Sequence, residues 1–336
     1  MRIAVIGAGA LGGLFATLLA RAGHEITVTA HQAARSIIED NGIRITGGFG
    51  DAQCRVLVRE FLTETPDLTL ICTKAQDAAA AISENAGLLD GSPVIVVQNG
   101  LDGVSIAQEL LAHSDCFGLL TLIAAHYIGP GRVRVTTAAA SYLGRGSGQA
   151  DAATQHWQAV LAAAFPTLAA DNFVGAQWTK LVVNMLNALP AITGLSVQTV
   201  IGSAPLRRIL TASMQETVQV GVARGVTFGA LQSLTDRNLR VFGRLPMTLA
   251  QSLPLRMGAK MGPVANLGST LQSIKRAHLT EIDHLNGAVV REAGLAGRPA
   301  PVNALLTILV HEVEVTRAFL KPADILARFE DLADDR

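Results

Sequence analysis

The sequence predicts an α/β protein in which a doubly wound parallel sheet with an antiparallel extension is followed by an all-helical C-terminal domain. Three observations lead to this fold class. The first half alternates short apolar runs with helical patterns, a glycine-rich turn follows the first of these runs, and the second half has a helical pattern almost throughout. Because strands separated by helices form βαβ units, this alternation indicates a parallel sheet.

The predicted strands are continuous apolar runs rich in β-branched residues, which is typical of strands buried on both faces. Helical patterns at about 10–22 and 76–90 fall between them. The strand-like runs are RIAVIG (2–7), EITVTA (25–30), LTLICT (68–73) and PVIVVQ (93–98). They predict the parallel core of the sheet.

Residues 116–146 break this rhythm, because two or three strand-like runs follow one another without a helix between them. Two of the runs meet at Gly129, Pro130 and Gly131, which form a strong turn signal. We interpret this part of the chain as an antiparallel extension of the sheet.

The second half is organised as helices. The composition changes near 165–172, which predicts a dinucleotide-binding domain at 1–168 and a helical substrate domain at 169–336. The segment 243–268 contains three prolines and several glycines and is expected to be a loop-rich connection. Helical patterns occur near 151–164, 171–195, 205–225, 269–295 and 302–319.

The composition describes a well-packed globular protein, with 49 % hydrophobic and 16 % charged residues. Lys plus Arg and Asp plus Glu both number 27, so there is no overall field to attract nucleic acid or an anionic membrane. No run reaches the roughly 18 uninterrupted apolar residues that a membrane span needs, and the chain begins directly with a predicted strand. We therefore expect a cytoplasmic protein without nucleic-acid or membrane partners.

The cysteines and histidines predict no metal site. Cys54, Cys72 and Cys116 have no metal-ligand or CxxC spacing, and the eight histidines show no paired spacing. Two of the three cysteines lie in apolar, strand-like runs, where cysteine is usually a small hydrophobe, and this usage suggests a reducing compartment. The apolar helices of the second half are compatible with a homodimer, although no sequence feature fixes the oligomeric state.

The stretch VIGAGALGG has GxGxxG spacing between a predicted strand and a predicted helix. In this pattern Gly7 permits a tight turn, Gly9 lets the backbone approach a pyrophosphate, and Gly12 allows close packing of helix on sheet. It predicts a Rossmann-type dinucleotide site whose contacts come from Gly7, Gly9, Ala10, Leu11 and Gly12. The alternative is a glycine turn in an α/β protein that binds no dinucleotide.

The end of the second predicted strand bears on the choice of cofactor. An Asp or Glu there would hold the ribose 2′-hydroxyl of NAD, but the chain instead has His31, Gln32 and Arg35. These side chains could accommodate a 2′-phosphate, so NADP (NADPH) is favoured. The alternative is that Arg35 lies on a solvated helix face.

Polar residues interrupt an otherwise apolar helical stretch, WTKLVVNMLNALPAITG (178–194). Lysine is rarely buried without a partner or a function. Lys180 and Asn184 are four residues apart and project from one helical face, and Asn187 lies three residues further along the same stripe. We expect all three to face one pocket.

Taken in order, these motifs resemble those of the ketopantoate reductase (2-dehydropantoate 2-reductase) family, nearly from end to end. Each motif is only moderately specific, but six in the family's order are hard to obtain by chance. They are IGAGALGG, ICTKAQD, VVQNGLDG, IAAHYIGPGRV, WTKLVVNMLNAL and STLQSIKRAHLTEIDHLNGAVVREA. The resemblance implies a Rossmann domain and a helical domain that reduce a 2-oxo acid with NADPH in the cleft between them.

The resemblance also implies catalytic roles, with Lys180 as the general acid and Glu281 as its partner. Hydride addition to a ketone develops negative charge on the carbonyl oxygen, which a proton donor must neutralise. Burial lowers the pKa of a lysine, while a nearby carboxylate holds it in the charged form. The alternative for Lys180 and Glu281 is a buried ion pair with a purely structural role.

Further positions are implied to bind ligands. Asn184 and Ser269 would hold substrate oxygens, with Asn187 beside them, while Lys74 and Asn99 would line the junction of cofactor and substrate. Alternatives exist here as well. Ser269 could cap a helix, Asn99 could belong to an ordinary turn, and Lys74 could simply be solvated.

Some residues depart from the family pattern. The second strand often ends in Arg where this chain has His31, and the second asparagine of the catalytic helix follows the lysine by seven residues instead of eight. Ser273 stands where the family has Asp. These differences leave the reaction type intact and the substrate open, so we also consider a paralogue that reduces another 2-oxo acid or ketone, and a non-catalytic NADP-sensing protein.

Overall fold

The computed structural model describes residues 1–262 and 264–334. Pro263, in the predicted connection, and the C-terminal Asp335 and Arg336 lie outside this part. The chain divides into two compact units, Met1–Val174 and Gly175–Arg336. The boundary between the two units therefore falls a few residues after position 168, where the sequence predicts it.

The first unit is built on strands with helices between them. The strands are β1 (Arg2–Ile6), β2 (Glu25–Thr29), β3 (Ile43–Gly47), β4 (Ala52–Cys54), β5 (Leu57–Arg59), β6 (Leu68–Ile71), β7 (Val94–Val96), β8 (Cys116–Thr121), β9 (Ala124–Gly129), β10 (Arg132–Thr137), β11 (Ser141–Gly144) and β12 (Thr167–Ala169). The helices are α1 (Ala10–Arg21), α2 (Gln32–Asn41), α3 (Ala75–Leu89), α4 (Gly103–Leu110) and α5 (Ala152–Ala162). The alternation of strands and helices agrees with the sequence pattern.

Eight strands form the main sheet in the order β12, β11, β8, β7, β6, β1, β2, β5. The pairs from β8 to β5 are parallel, as is the pair of β11 with β12, whereas β11 pairs antiparallel with β8. The predicted parallel sheet with an antiparallel extension is confirmed, with β11 at the point of reversal.

The predicted hairpin belongs to a different sheet. Gly129, Pro130 and Gly131 join β9 to β10 as expected, but these two strands combine with β3 and β4 in a separate four-stranded sheet. The run 116–146 thus supplies both sheets, which its apolar pattern alone does not distinguish.

Alternate residues of the central strands feed two apolar cores on opposite faces of the main sheet. Ile3 and Val5 face a core that includes Leu14, Phe15 and Leu18 of α1. The intervening residues of β1 face a second core completed by α3 and α4. Burial on both faces explains why these strands are continuous apolar runs.

The second unit is helical, and α6 begins just before it. The helices are α6 (Phe173–Asn184), α7 (Ala188–Thr193), α8 (Val197–Gly202), α9 (Ala204–Ala223), α10 (Asp236–Phe242), α11 (Met247–Ala250), α12 (Ser252–Ala259), α13 (Gly268–Lys275), α14 (Asn286–Leu295), α15 (Pro301–Thr316) and α16 (Pro322–Asp334). Single-turn 3₁₀ segments occur at Met185–Asn187 and Ile282–His284.

Two features of this unit differ from the sequence pattern. The predicted helix over 269–295 is two helices, α13 and α14, separated by ten residues without α-helical structure. The connection over 243–268 contains α11 and α12 instead of being mostly loop. Within residues 1–262 and 264–334, no helix has the length and apolarity needed to cross a bilayer.

Candidate active site

The glycine-rich turn between β1 and α1 has the close backbone packing that its spacing predicts. Gly7 has φ +102°, and a Cβ there would lie 2.9 Å from the backbone nitrogen of Thr73. A Cβ on Gly12 would overlap the carbonyl oxygen of Gly7. Both positions therefore require glycine for the turn itself, whatever it binds.

Gly9 is different, because a Cβ there would meet no atom within 4 Å. It precedes the first turn of α1, whose first intrahelical hydrogen bond runs from Gly13 N–H to the Gly9 carbonyl at 2.9 Å. The amides of Ala10, Leu11 and Gly12 have no acceptor within the helix, as in any first turn. Open space beside a helix N-terminus suits a pyrophosphate, so this loop fits a dinucleotide.

The carboxyl ends of β6 and β7 place further polar groups at the same edge of the sheet as this loop. Lys74 directly precedes α3, and Asn99 follows β7 by three residues. Gln98 Nε2 links the two strand ends by donating to the Thr73 carbonyl oxygen at 3.1 Å. Ligands of open α/β sheets bind at such an edge.

Two buried oxygens at this edge have no hydrogen-bond partner anywhere in the described chain, namely Thr73 Oγ1 and Gln98 Oε1. Buried polar atoms are normally paired, so such atoms are typical of a place where a ligand or water binds. Both residues lie in motifs that the sequence singled out, but neither was predicted as a site residue. Whether a buried polar atom has a hydrogen-bond partner cannot be judged from the sequence.

The end of β2 carries the residues predicted to choose the cofactor. His31 and Gln32 are exposed at the start of α2. Arg35 is held by two carboxylates, with its Nε 3.5 Å from Glu39 and one terminal nitrogen 3.8 Å from Glu60. Its charge is therefore partly offset within the protein.

Arg59 is a second cation at this edge that the sequence reasoning missed. β5 pairs in parallel with β2, opposing Thr29 with Arg59, and the Arg59 carbonyl oxygen accepts from the Ala30 N–H at 2.9 Å. The side chain is half-buried, and one terminal nitrogen donates to the Val58 carbonyl oxygen at 3.0 Å. Arg59 was not predicted as a site residue because the short strand that carries it, β5, was not predicted.

The helix of the predicted general acid is anchored by the two residues before it. Trp178 is buried, and a Cβ on Gly221 of α9 would lie 3.1 Å from its indole ring. Thr179 is fully buried, and its hydroxyl donates to the Gly229 carbonyl at 2.6 Å. Lys180 itself is half-buried, and burial lowers the pKa of its ammonium group to about 8.

Three of the predicted substrate residues lie together in the second unit. Asn184 ends α6 and is buried, and the helix tightens to a 3₁₀ turn ending at Asn187. Asn187 Nδ2 donates to the Asn184 carbonyl at 3.0 Å, and its Oδ1 accepts from the Ser269 N–H at 3.1 Å. The Asn187 carboxamide thus ties this turn to the start of α13.

Gly268 allows this link to form. It has φ +68°, and a Cβ there would lie 2.5 Å from Asn187 Oδ1. Ser269 follows in the first turn of α13 and is exposed. The alternative that the Ser269 hydroxyl caps the helix does not hold. The N-cap residue of α13 is Leu267, and this helix has no capping hydrogen bond from a side chain.

Glu281 is half-buried and lies between α13 and α14, directly before the Ile282–His284 turn. Its neighbours are fixed by α15: the Thr280 N–H donates to Glu314 Oε1 at 2.6 Å, and Asp283 Oδ1 is 3.0 Å from His311 Nε2. His311 and Glu314 were not predicted from the sequence. In the part of the chain that is described, no three His, Cys, Asp or Glu side chains cluster closely enough to hold a metal ion.

Known proteins resemble this chain over both of its units. Residues 3–148 match the family model described as "Ketopantoate reductase PanE/ApbA", and residues 172–314 match the model of the C-terminal part of the same family. A 2-dehydropantoate 2-reductase of Halobacterium salinarum is 28 % identical, covering 92 % of this chain and 98 % of the relative. That of Escherichia coli O157:H7 is 27 % identical, covering 94 % and 95 %.

Solved structures share the fold over almost the whole chain. A PanE/ApbA family ketopantoate reductase from Ralstonia eutropha JMP134 has 29 % identity and a TM-score of 0.79, covering 94 % of this chain and 99 % of that one. A D-mandelate dehydrogenase with NADH and anilino(oxo)acetate has the same TM-score and coverage at 21 % identity, a likeness of fold alone. Because family models match most of both units, this chain belongs to the ketopantoate reductase family.

Proposed function

We propose that this protein reduces 2-dehydropantoate (ketopantoate) to pantoate with NADPH, a step in pantothenate biosynthesis. Membership of the family supports an oxidoreductase that acts on a CH–OH group and its ketone. Lys180 is the observation that carries the proposal. Its ammonium is charged at neutral pH yet has a pKa of about 8, which suits a proton donor better than a solvated lysine does.

The chemistry assigns distinct tasks to the residues of the second unit. NADPH supplies the hydride, and the ketone oxygen then needs a proton, which Lys180 Nζ gives. Glu281 is the proposed partner that keeps Lys180 charged when substrate arrives. Asn184 and Ser269 offer a carboxamide and a hydroxyl to the oxygens of the oxo acid, and Asn187 holds the backbone of Ser269 in place.

The proposed cofactor site lies on the first unit. Gly7, Gly9 and Gly12, with the amides of Ala10 and Leu11, would receive the pyrophosphate. Lys74 and Asn99 would lie toward the reactive end, at the strand ends where Thr73 and Gln98 offer unsatisfied oxygens. Preference for NADPH rests on His31, Gln32, Arg35 and Arg59 and on the absence of a carboxylate at the end of β2.

The test is NADPH oxidation with ketopantoate beside a panel of other 2-oxo acids, using wild type and Lys180→Ala. We expect turnover on ketopantoate that falls by at least about 100-fold in the variant while NADPH still binds, because general acids typically contribute about 10²–10⁴-fold. Lys260→Ala, which removes an exposed lysine, is the control. NADPH binding without turnover on any oxo acid would overturn the proposal in favour of an NADP-sensing protein.

A second candidate is a paralogue that reduces another 2-oxo acid or ketone. Ser273 supports it, because the family's acid is absent there and the Ser273 hydroxyl instead donates to the Ser269 carbonyl at 3.3 Å. The D-mandelate dehydrogenase of similar fold, solved with anilino(oxo)acetate, also supports this candidate. Turnover on a panel member that exceeds turnover on ketopantoate would establish this second function and leave the role of Lys180 intact.

We further propose that two copies associate. Helix α15 leaves the apolar side chains of Ile308 and Val315 exposed, at 59 % and 83 %. They are seven residues apart and therefore share a helix face. Light scattering should give the mass of a dimer in wild type and a shift toward monomer in Ile308→Lys, and a wild-type monomer would refute the association.

A further inference from the structure

Helix α15 contacts the chain on both sides of Glu281, through the backbone on one side and through a side chain on the other. On one side, the Thr280 N–H donates to Glu314 Oε1 at 2.6 Å. On the other side, Asp283 Oδ1 lies 3.0 Å from His311 Nε2. The four residues Thr280–Asp283 are therefore attached at each end to side chains of the same helix.

The two α15 side chains are also joined to each other. His311 Nδ1 lies 2.7 Å from Glu314 Oε2, and the two residues are three positions apart on one face of the helix. Glu314 is only 8 % exposed. A buried carboxylate is costly unless it is paired and hydrogen-bonded, and here one oxygen faces the imidazole while the other accepts the backbone amide.

The charge of His311 matters for this arrangement. Burial lowers its pKa, but hydrogen bonds with Asp283 and Glu314 outweigh that effect and raise it. A protonated imidazole donates from both nitrogens and so bonds to both carboxylates, whereas a neutral ring has one N–H. Arg291 adds a further contact by donating to the Asp283 carbonyl oxygen at 2.6 Å.

Regular secondary structure does not fix Glu281, since α13 ends at Lys275 and α14 begins at Asn286. Ala277 has φ +57°, which turns the chain sharply after α13. Helix α15 packs both against the Ile282–His284 turn and against α7, which follows the segment that ends the Lys180 helix. It therefore packs against elements that follow each of the two proposed catalytic residues along the chain.

We propose that His311 and Glu314 form an α15 clamp that positions Glu281 for the reaction. The inference rests on the proposed function, in which Glu281 partners Lys180. Neither clamp residue touches substrate in this scheme, so both are positioning residues. A displacement of about 1 Å at a reacting group can cost up to about 100-fold in rate, which gives the clamp a measurable effect.

The test uses the full chain and three variants. Glu314→Ala removes both contacts, Glu314→Gln keeps an acceptor for the Thr280 amide without the charge, and Glu312→Ala on the same helix is the matched control. We expect kcat to fall at least about ten-fold in Glu314→Ala with unchanged NADPH affinity, and to recover most of its value in Glu314→Gln. Glu312→Ala should behave like wild type.

Hydrogen exchange of the Thr280 amide supplies a readout that does not depend on turnover. Faster exchange in Glu314→Ala together with the loss of kcat supports the clamp. Unchanged exchange overturns the contact, and faster exchange with full kcat overturns the positioning role. If Glu314→Ala does not fold, His311→Ala replaces it, because that residue is half-exposed; full kcat in that variant would likewise refute the clamp.

The imidazole of His311 can be followed by NMR in the same proteins. Its pKa should lie above the usual value in wild type and fall in Glu314→Gln, which removes one of the charges that raise it. Equal values in both proteins would contradict the clamp. The proposed function is judged on wild-type turnover and the clamp on the variants, so the two can fail separately.

Discussion

As the proposed proton donor, Lys180 must be charged when substrate arrives and must release its proton readily. With a pKa of about 8, its charged fraction falls as the pH rises through that value. We therefore expect kcat for reduction to decline above about pH 8 and kcat for the reverse oxidation, which needs the neutral amine, to rise over the same interval. A pH profile of both directions at saturating substrate measures this.

The control for this profile is Lys180→Arg, whose guanidinium stays charged throughout. Any residual activity of that variant should be independent of pH in this interval. A wild-type profile that stays flat from pH 7 to 9.5 would contradict the assignment of Lys180 as the acid.

The same burial predicts that Lys180 reduces the stability of the protein. Its folded pKa is depressed below the unfolded value, so the charged form is penalised in the folded state at pH values below about 8. We expect Lys180→Met to raise the free energy of unfolding by roughly 3–3.5 kcal/mol at pH 7, because the pKa is lowered from 10.5 to about 8 and each pKa unit corresponds to about 1.4 kcal/mol. Above pH 8 the gain should shrink, because the folded protein then loses the proton first.

Urea unfolding of wild type and Lys180→Met at pH 7 and pH 9.5 measures this difference. The exposed Lys260→Met is the matched control and should change stability by less than about 0.5 kcal/mol. A Lys180→Met protein that is less stable than wild type at pH 7 would mean that the ammonium is better paired than its lowered pKa implies.

Arg59 is the residue-level prediction for cofactor choice. Arg35 already faces Glu39 and Glu60, so the half-buried Arg59 beside the end of β2 is the better cation for a 2′-phosphate. We expect Arg59→Ala to raise the KM for NADPH about ten-fold or more and to leave the KM for NADH unchanged, since a hydrogen bond to a charged group contributes about 1.5–3 kcal/mol. Arg134→Ala on the second sheet is the control. Equal effects on both cofactors would exclude a role in their discrimination.

At the scale of elements, the glycines of the turn from β1 into α1 have different tasks. The fold requires Gly12, whereas Gly9 is the one proposed to serve the cofactor. A Cβ on Gly12 would overlap the Gly7 carbonyl oxygen, whereas a Cβ on Gly9 meets open space. We expect Gly12→Ala to lower the free energy of unfolding by about 3 kcal/mol or more. Gly9→Ala should change it by less than about 0.5 kcal/mol while weakening NADPH binding at least about ten-fold.

Thermal melting and fluorescence titration with NADPH measure the two effects on the two variants. Each variant serves as the control of the other, because both add one methyl group to the same loop. Unaltered NADPH affinity in a folded Gly9→Ala protein would remove the loop from the proposed cofactor site.

Elements also show where sequence patterns succeed and where they stop. The central parallel strands β1, β2, β6 and β7 were predictable because burial on both faces forces continuous apolar runs. The prediction of one helix over 269–295 was wrong in its middle, because the apolar periodicity continues across the break between α13 and α14. Side chains of α15, which lie further along the chain, fix the geometry of that break. Contacts of that kind leave no local signal.

The candidate site follows the same division. Lys180 and the glycines could be predicted, because a polar residue in an apolar helix and a fixed spacing are local features. Arg59 reaches the end of β2 through strand pairing, and Asn187 meets Ser269 through the packing of α13 against the 3₁₀ turn. These depend on the folded chain, so sequence reasoning missed Arg59 and gave Asn187 no structural task.

At the scale of the whole molecule, each unit has enough buried apolar side chains to form its own core. Phe173 belongs to the first unit, although it is the first residue of α6. A Cβ on Gly118 would overlap the Phe173 ring, and a Cβ on Gly144 would lie 2.8 Å from the Cβ atom of Phe173. Val174 N–H donates to the Gly146 carbonyl at 3.0 Å. These contacts place the natural end of the first unit at Val174.

We therefore expect the fragment 1–174 to fold and to bind NADPH with about the affinity of the full chain, but to reduce no oxo acid, because Lys180 lies outside it. The fragment 1–171 is the matched control. It lacks the buried Phe173 ring, whose removal typically costs about 3–5 kcal/mol, so it should melt at a lower temperature. Circular dichroism and NADPH titration of both fragments measure this. If 1–174 is unfolded or binds no NADPH while the full chain does, then the glycine loop and strand ends of the first unit are not sufficient for the cofactor, and residues of the helical unit must contribute to its binding.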